Sequence, residues 1–119
     1  MDRRAQVGRR GEDAAAAAYE ARGFRVIARN WRCPLGEVDL VVERRGLLVF
    51  CEVKARSGTA FGGGFEAVTT AKRRKLRALA EAFLATRDPP PASVRFDVAS
   101  VHAGPRGPSV QLFEDAFGA

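Results

Sequence analysis

Residues 36–54 read GEVDLVVERRGLLVFCEVK, two apolar runs on either side of Arg44, Arg45 and Gly46. Their β-branched content predicts two strands, and so short a polar turn predicts that they pair as an antiparallel hairpin. With Arg45 and Gly46 at the turn, Glu43 lies opposite Leu48, Val41 opposite Phe50, Asp39 opposite Glu52 and Glu37 opposite Lys54. Side chains alternate between the two faces of a strand. Val38, Leu40, Val42, Leu47, Val49, Cys51 and Val53 are therefore expected on one apolar, buried face. The other face carries Val41, Leu48 and Phe50 near the turn and gathers Glu37, Asp39, Glu52 and Lys54 at the far end.

The same patterning places the remaining elements. An alanine-rich helix is predicted over residues 7–22, ended by Gly23 in the left-handed position that follows many helices. Gly8 and Gly11 weaken it locally but permit a close backbone approach. Residues 24–30 predict a strand. After Lys54, residues 55–67 predict a glycine-rich loop long enough for a functional role. Over residues 70–86, Leu76, Leu79, Ala80, Phe83 and Leu84 fall on one face of a helix, which the proline run after Asp88 stops. Two further strands are predicted at residues 94–101 and 109–114. The order αβββαββ implies a single α/β domain over residues 1–119, with a mixed central sheet and flanking helices.

Composition changes this picture mainly through charge. At 119 residues with 46% hydrophobic and 29% charged residues, the chain has the make-up of an ordinary globular protein, which excludes disordered and fibrous classes. Twenty basic against fourteen acidic residues give a net charge of +6, which favours a polyanionic partner. Two cysteines, Cys33 and Cys51, have neither the number nor the spacing of a disulfide framework or a zinc site. The opening MDRRAQVGRRGED lacks a signal-peptide core, and no stretch suits a bilayer span, so the expectation is a cytoplasmic protein with no membrane partner.

The polar end of the hairpin carries the candidate chemistry. Directly opposed residues lie about 4.5–5.5 Å apart at Cβ, so Asp39 and Glu52 would share one small space. Like charges so close are costly unless one is protonated or a cation sits between them. Mg²⁺ or Mn²⁺ suits such a pair, because these ions bind through one or two carboxylates plus substrate phosphate. Lys54, two residues beyond Glu52, falls on the same face about 6.7 Å along the strand, within reach of that phosphate. A divalent ion that polarises phosphorus, next to a lysine that stabilises developing negative charge, outlines phosphodiester hydrolysis. The spacing also permits a simpler arrangement, with Glu37 paired to Lys54 across the strands and Asp39 and Glu52 solvated.

Outside the hairpin, Glu12 sits early on the first helix, where its charge suits the helix dipole. Lys72 precedes Leu76 by one turn and so belongs to the core-facing stripe of its helix. It needs either an anion, such as the carboxylate pair or a phosphate, or a stem long enough to carry its ammonium out to water. Arg9, Arg10, Arg56, Lys72, Arg73 and Lys75 are candidate nucleic-acid contacts, within a wider basic set that includes Arg44 and Arg45. Asp97 is taken as structural, and His102 stands alone as the single histidine.

The segments GRRGEDAA (8–15), NWR (30–32), GEVDL (36–40), VFCEVKAR (49–56), VTTAK (68–72) and RFDV (95–98), with Tyr19 and Gly23-Phe24, resemble the YraN family of small bacterial proteins over almost the whole chain. That family is similar to archaeal Holliday junction resolvases of the restriction-endonuclease-like superfamily. The resemblance implies that Asp39 and Glu52 ligate metal, that Glu12 joins them, and that Lys54 is the catalytic lysine. It further implies a restriction-endonuclease-like fold, Mg²⁺- or Mn²⁺-dependent cleavage of DNA, branched or damaged DNA included, and a homodimer. A rival from another class is a non-catalytic nucleic-acid-binding or partner-binding protein on the same scaffold.

Overall fold

In the computed structural model, which describes residues 3–57 and 70–116, five strands form one sheet with a helix on each side. The elements are α1 (Arg3–Ala21), β1 (Arg25–Cys33), β2 (Gly36–Arg44), β3 (Leu47–Ser57), α2 (Thr70–Leu84), β4 (Ser93–Gly104) and β5 (Gly107–Phe113). Their order matches the predicted αβββαββ. The strands lie in sequence order across the sheet, antiparallel except for the parallel pair β3–β4 that α2 connects. A parallel pair needs such a crossover, which the hairpin-linked strands do not. Of the glycine-rich loop predicted at 55–67, residues 55–57 instead extend β3, and the rest lies outside the described residues.

The β2–β3 hairpin has the expected register from Arg44↔Leu47 through Val41↔Phe50 to Leu40↔Cys51, but the ladder ends there, and the expected pairs Asp39↔Glu52 and Glu37↔Lys54 are not part of it. Arg45 and Gly46 both have positive φ, 48° and 81°, as a tight turn matching strand twist requires. The burial differs from expectation in two ways. First, the face opposite the predicted buried one is core as well near the turn: Val41, Leu48 and Phe50 are fully buried and pack with Leu79, Ala80 and Phe83 of α2. A sheet covered by helices on both faces buries both sets of alternate side chains.

Second, Val38 does not share a face with Leu40. Leu40, Val42, Val49 and Cys51 pack with Ala15, Ala16 and Tyr19 of α1, whereas Val38 packs in the α2-side cluster beside Trp31. Alternation breaks at Asp39. Opposite it on β1, Asn30 adopts a left-handed φ of 51° between the pairs Arg29↔Leu40 and Trp31↔Val38. A left-handed residue inside a strand re-aims the side chains around it.

The approach of α1 to the sheet depends on Gly11. A Cβ there would lie 2.8 Å from Cβ of Ala55 on β3. Gly11→Val should therefore push the helix off the strand and destabilise the protein by about 1–3 kcal/mol, the usual cost of overpacking. Urea unfolding of the variant checks this; a midpoint equal to wild type would mean that α1 slides freely at this point.

Candidate active site

The hairpin ladder gives way to side-chain bonding where the acids begin. Beyond Leu40↔Cys51, the N–H of Val53 donates to Oδ2 of Asp39 at 2.9 Å. Asp39 thereby holds its carboxylate against β3, partly buried at the edge between the two faces. Burial pushes its pKa up to about 6, and the neighbouring Glu12, Glu52 and Glu37 add to the rise, while the Val53 N–H opposes it. The expected concentration of negative charge around Asp39 is thus present.

Glu52 is the more enclosed acid, with a side chain 17% exposed. Its Oε1 receives Nζ of Lys72 at 2.5 Å and Nζ of Lys54 at 3.5 Å. Oε2 is buried and, among the described residues, has no hydrogen-bond partner. An orphaned buried carboxylate oxygen is expensive, because nothing replaces the water it has lost. Lys54 is held below the usual lysine range by Lys72 beside it and by burial. Burial opposes the charge on Lys72 too, but Glu52 and its neighbours outweigh it and hold that lysine above its ordinary value. The two ammonium groups compete for one oxygen, and Lys54 is the one that gives up its proton more readily.

Glu12 reaches this region from α1. Asn30 donates to its Oε1 at 2.9 Å, and Arg29 lies 4.0 Å from the same oxygen while bonding Asp13 at 2.6 Å. Asn30 was missed in the sequence, because an asparagine carries no ionisable group; only its left-handed backbone next to Asp39 marks it. The ion-pair arrangement that the spacing also permitted is not the one adopted. Glu37 pairs with Arg32 across β1–β2 at 3.3 Å, and Lys54 pairs with Glu52 on its own strand.

Two carboxylates and an orphaned oxygen suit a hard divalent cation that completes its shell with substrate oxygens. Among the described residues, no three His, Cys, Asp or Glu side chains converge to hold an ion unaided. The donor set therefore fits an ion shared with a ligand better than a dedicated protein cage.

A family model described as an uncharacterised protein family, UPF0102, matches residues 11–101, the stretch that contains every one of these groups. A UPF0102 protein of Symbiobacterium thermophilum is 48% identical over 118 residues, covering 98% of both chains. The chain belongs to this family. UPF0102 corresponds to the YraN resemblance noted in the sequence. Other UPF0102 relatives include one from Parafrankia, 48% identical over 86% of both chains, and one from Mycolicibacterium smegmatis, 47% identical over 85% of this chain and 83% of its own.

In this UPF0102 chain the remaining sequence candidates divide. Lys72 took the first of its two options and faces an anion, Glu52. Arg9 and Arg10 on α1 and Arg73 and Lys75 on α2 are exposed, with the stem of Lys75 lying against Gly36. The side chain of Arg56 lies outside the described residues. Asp97 is structural, buried and paired with Arg95 on the opposite face. Among the described residues, no helix is long and apolar enough to cross a membrane.

The Asp39 environment has a pH consequence in metal-free protein. Its folded pKa, about 6, lies above the ordinary 3.8, so the folded state holds the proton more tightly than the unfolded chain. That stabilisation is complete below pH 4 and disappears as pH rises through 6. Asp39→Asn should match wild type near pH 4 and exceed it in stability above pH 6. Urea midpoints measured in EDTA across this range test the sign, and a variant less stable at pH 7 than at pH 4 relative to wild type would reverse it.

Proposed function

We propose that this protein is a divalent-metal-dependent nuclease that hydrolyses phosphodiester bonds in DNA on a restriction-endonuclease-like scaffold, acting as a homodimer. The observation that carries this reading is Oε2 of Glu52, buried and, among the described residues, without a hydrogen-bond partner, in the neighbourhood of Asp39, which burial and neighbouring acids hold near pKa 6. A polyanionic substrate agrees with the net charge of +6 and with exposed Arg9, Arg10, Arg73 and Lys75.

Asp39 and Glu52 would hold Mg²⁺ or Mn²⁺, with Glu12 close enough in charge to support them. Such an ion supplies positive charge at the phosphorus centre and makes water a better nucleophile at neutral pH. The protein's own groups do the rest. The Val53 N–H fixes the carboxylate of Asp39. Lys72 holds Oε1 of Glu52, which leaves the buried Oε2 as the oxygen that would engage an ion. Lys54, whose hold on its proton is weakened, is placed to stabilise negative charge on a non-bridging phosphate oxygen and to exchange a proton there.

A second reading keeps the scaffold and drops the chemistry, leaving a nucleic-acid-binding or partner-binding protein. It draws on the engagement of both lysines with Glu52 and on the absence of a three-acid cluster among the described residues. Incubation with Mg²⁺ or Mn²⁺ and a panel of linear, flapped and four-way DNA separates the two. Cleavage that disappears in Asp39→Ala while DNA binding survives supports the nuclease. Tight, salt-sensitive binding with no cleavage under either metal supports the second reading.

A further inference from the structure

At the end of the hairpin away from Glu52, the β2–β3 turn meets the chain that leaves α1. Arg22, Gly23, Arg25, Glu43, Arg44 and Arg45 line an open cleft there of about 690 Å³, with Glu43 the one acid among the described lining residues. The carboxylates nearby do not balance the arginines. Glu43 is divided between Arg25 at 2.9 Å and Arg87 at 2.8 Å. Glu114 is divided between Arg22 at 3.1 Å and Arg95 at 3.8 Å, and Arg95 already holds Asp97. Arg44 and Arg45 have no carboxylate partner among the described residues.

Arg44 is nonetheless fixed in place. Its stem passes over Gly23, where a Cβ would stand 3.5 Å from its Cδ. Its guanidinium lies 4.4 Å from the centre of the Phe24 ring and donates to the carbonyl of Arg22 at 2.6 Å. A guanidinium carries several N–H donors, so one such bond leaves most of them available at a set position. Arg45 occupies the turn itself and is exposed.

Guanidinium groups around an open hollow select an anion with several oxygens, and phosphate matches their planar fork. Phe24 is buried, and the described lining offers no aromatic face on which a base could stack. The cleft therefore suits the backbone of a nucleic acid better than a free nucleotide. The edge strand β1 connects it with the active site, since Arg25 lines the cleft and Arg29 lies 4.0 Å from Glu12 at the other end. Along β2 the interval from Asp39 to Arg44 is about 17 Å by strand geometry. One strand of duplex DNA advances about 3.4 Å per phosphate, so this interval corresponds to about five nucleotides.

We propose that the arginine cleft binds backbone phosphates of the same DNA duplex that the active site engages, about five nucleotides from the phosphodiester held there. This rests on the nucleic-acid reading of the site and adds to it a direction for the duplex, along β1 and β2 toward the hairpin turn. A contact to backbone alone contributes affinity and register, not base preference.

Two measurements on the full-length protein in EDTA test this with a duplex of about 20 base pairs, long enough to span the interval several times over. In isotope-labelled wild-type protein, the backbone amide signals of Gly23, Arg25, Arg45 and Gly46 should shift as the duplex is titrated in. The second measurement uses Arg25→Gln combined with Arg45→Asn. Both positions are exposed, Glu43 keeps Arg87, and asparagine tolerates the positive φ of 48° at residue 45. Fluorescence anisotropy should show binding weakened about tenfold and the slope of log affinity against log salt reduced by about 2, as two lost phosphate contacts require. Cleft amides that stay in place while DNA binds, or a double variant whose affinity and salt slope equal those of the wild type, overturn this proposal and leave the nucleic-acid reading intact. No DNA binding by the wild type overturns both.

Discussion

Lys54→Ala should lower single-turnover cleavage by about 10²–10³-fold in Mn²⁺ while changing DNA affinity by no more than a few-fold. That is the range found when one preorganised donor to a developing oxyanion is removed. The reasoning starts from Glu52. Its Oε1 has two cationic partners, Lys72 at 2.5 Å and Lys54 at 3.5 Å, so Lys54 is the looser and is free to swing to substrate without exposing an unpaired acid. Lys72, held above the ordinary lysine range by Glu52, is better suited to fixing that carboxylate than to leaving it. Lys72→Ala should accordingly lose less, about tenfold, and its loss should shrink at high Mn²⁺ because its role is to orient a ligand oxygen. Lys54→Arg should not restore the rate, since a planar guanidinium cannot take the place of a compact ammonium. Rates measured across a metal titration separate the two lysines. Equal losses insensitive to metal would mean that both serve only the Glu52 ion pair.

The contrast between the lysines was partly legible in the sequence. The hairpin register followed from strand alternation and a two-residue turn, which are local properties, and Leu40↔Cys51 extends toward the acids as expected. The inward aim of Lys72 followed from its spacing to Leu76, another local property. Neither signal could show that Phe50 would be buried as deeply as Val49, because that depends on α2 returning over the second face. The break at Asp39 was also hidden. It arises from the left-handed Asn30 on a neighbouring strand, and an asparagine in a polar stretch carries no mark of its φ. His102 is the clearest case. Its place in the sheet depends on the parallel pairing of β3 with β4, a contact between segments separated by a whole helix.

The largest effect on stability should come from the other side of the sheet, where Asp97→Ala is expected to cost about 3–5 kcal/mol, the range for breaking a buried ion pair by removing one partner. Asp97 is completely buried, yet its carboxylate is fully used. Oδ2 accepts from the Tyr19 hydroxyl at 2.7 Å and from Arg95 at 3.0 Å, and Oδ1 accepts from Nε of Arg95 and from the backbone N–H of Asp115, both at 2.9 Å. These bonds join α1, β4 and the turn after β5. Alanine would take from the fully buried Tyr19 hydroxyl its carboxylate acceptor and leave the Arg95 guanidinium, 19% exposed, with Glu114 at 3.8 Å as its one ion-pair partner among the described residues. Tyr19→Phe should cost far less, about 1 kcal/mol, because it deletes one neutral donor and leaves the bidentate Arg95–Asp97 pair in place. Asp97→Asn should fall between them, keeping the shape but losing the charge that Arg95 needs. Urea unfolding of the three variants should give the order Ala, Asn, then Phe at Tyr19, from most to least destabilised. Since the network lies behind the sheet from Glu52, Tyr19→Phe should leave DNA binding unchanged at temperatures where the protein stays folded. If Asp97→Ala lost under 1 kcal/mol, water would have to be reaching Arg95 and Tyr19, and the sheet would be less tightly closed on the α1 side than its packing indicates.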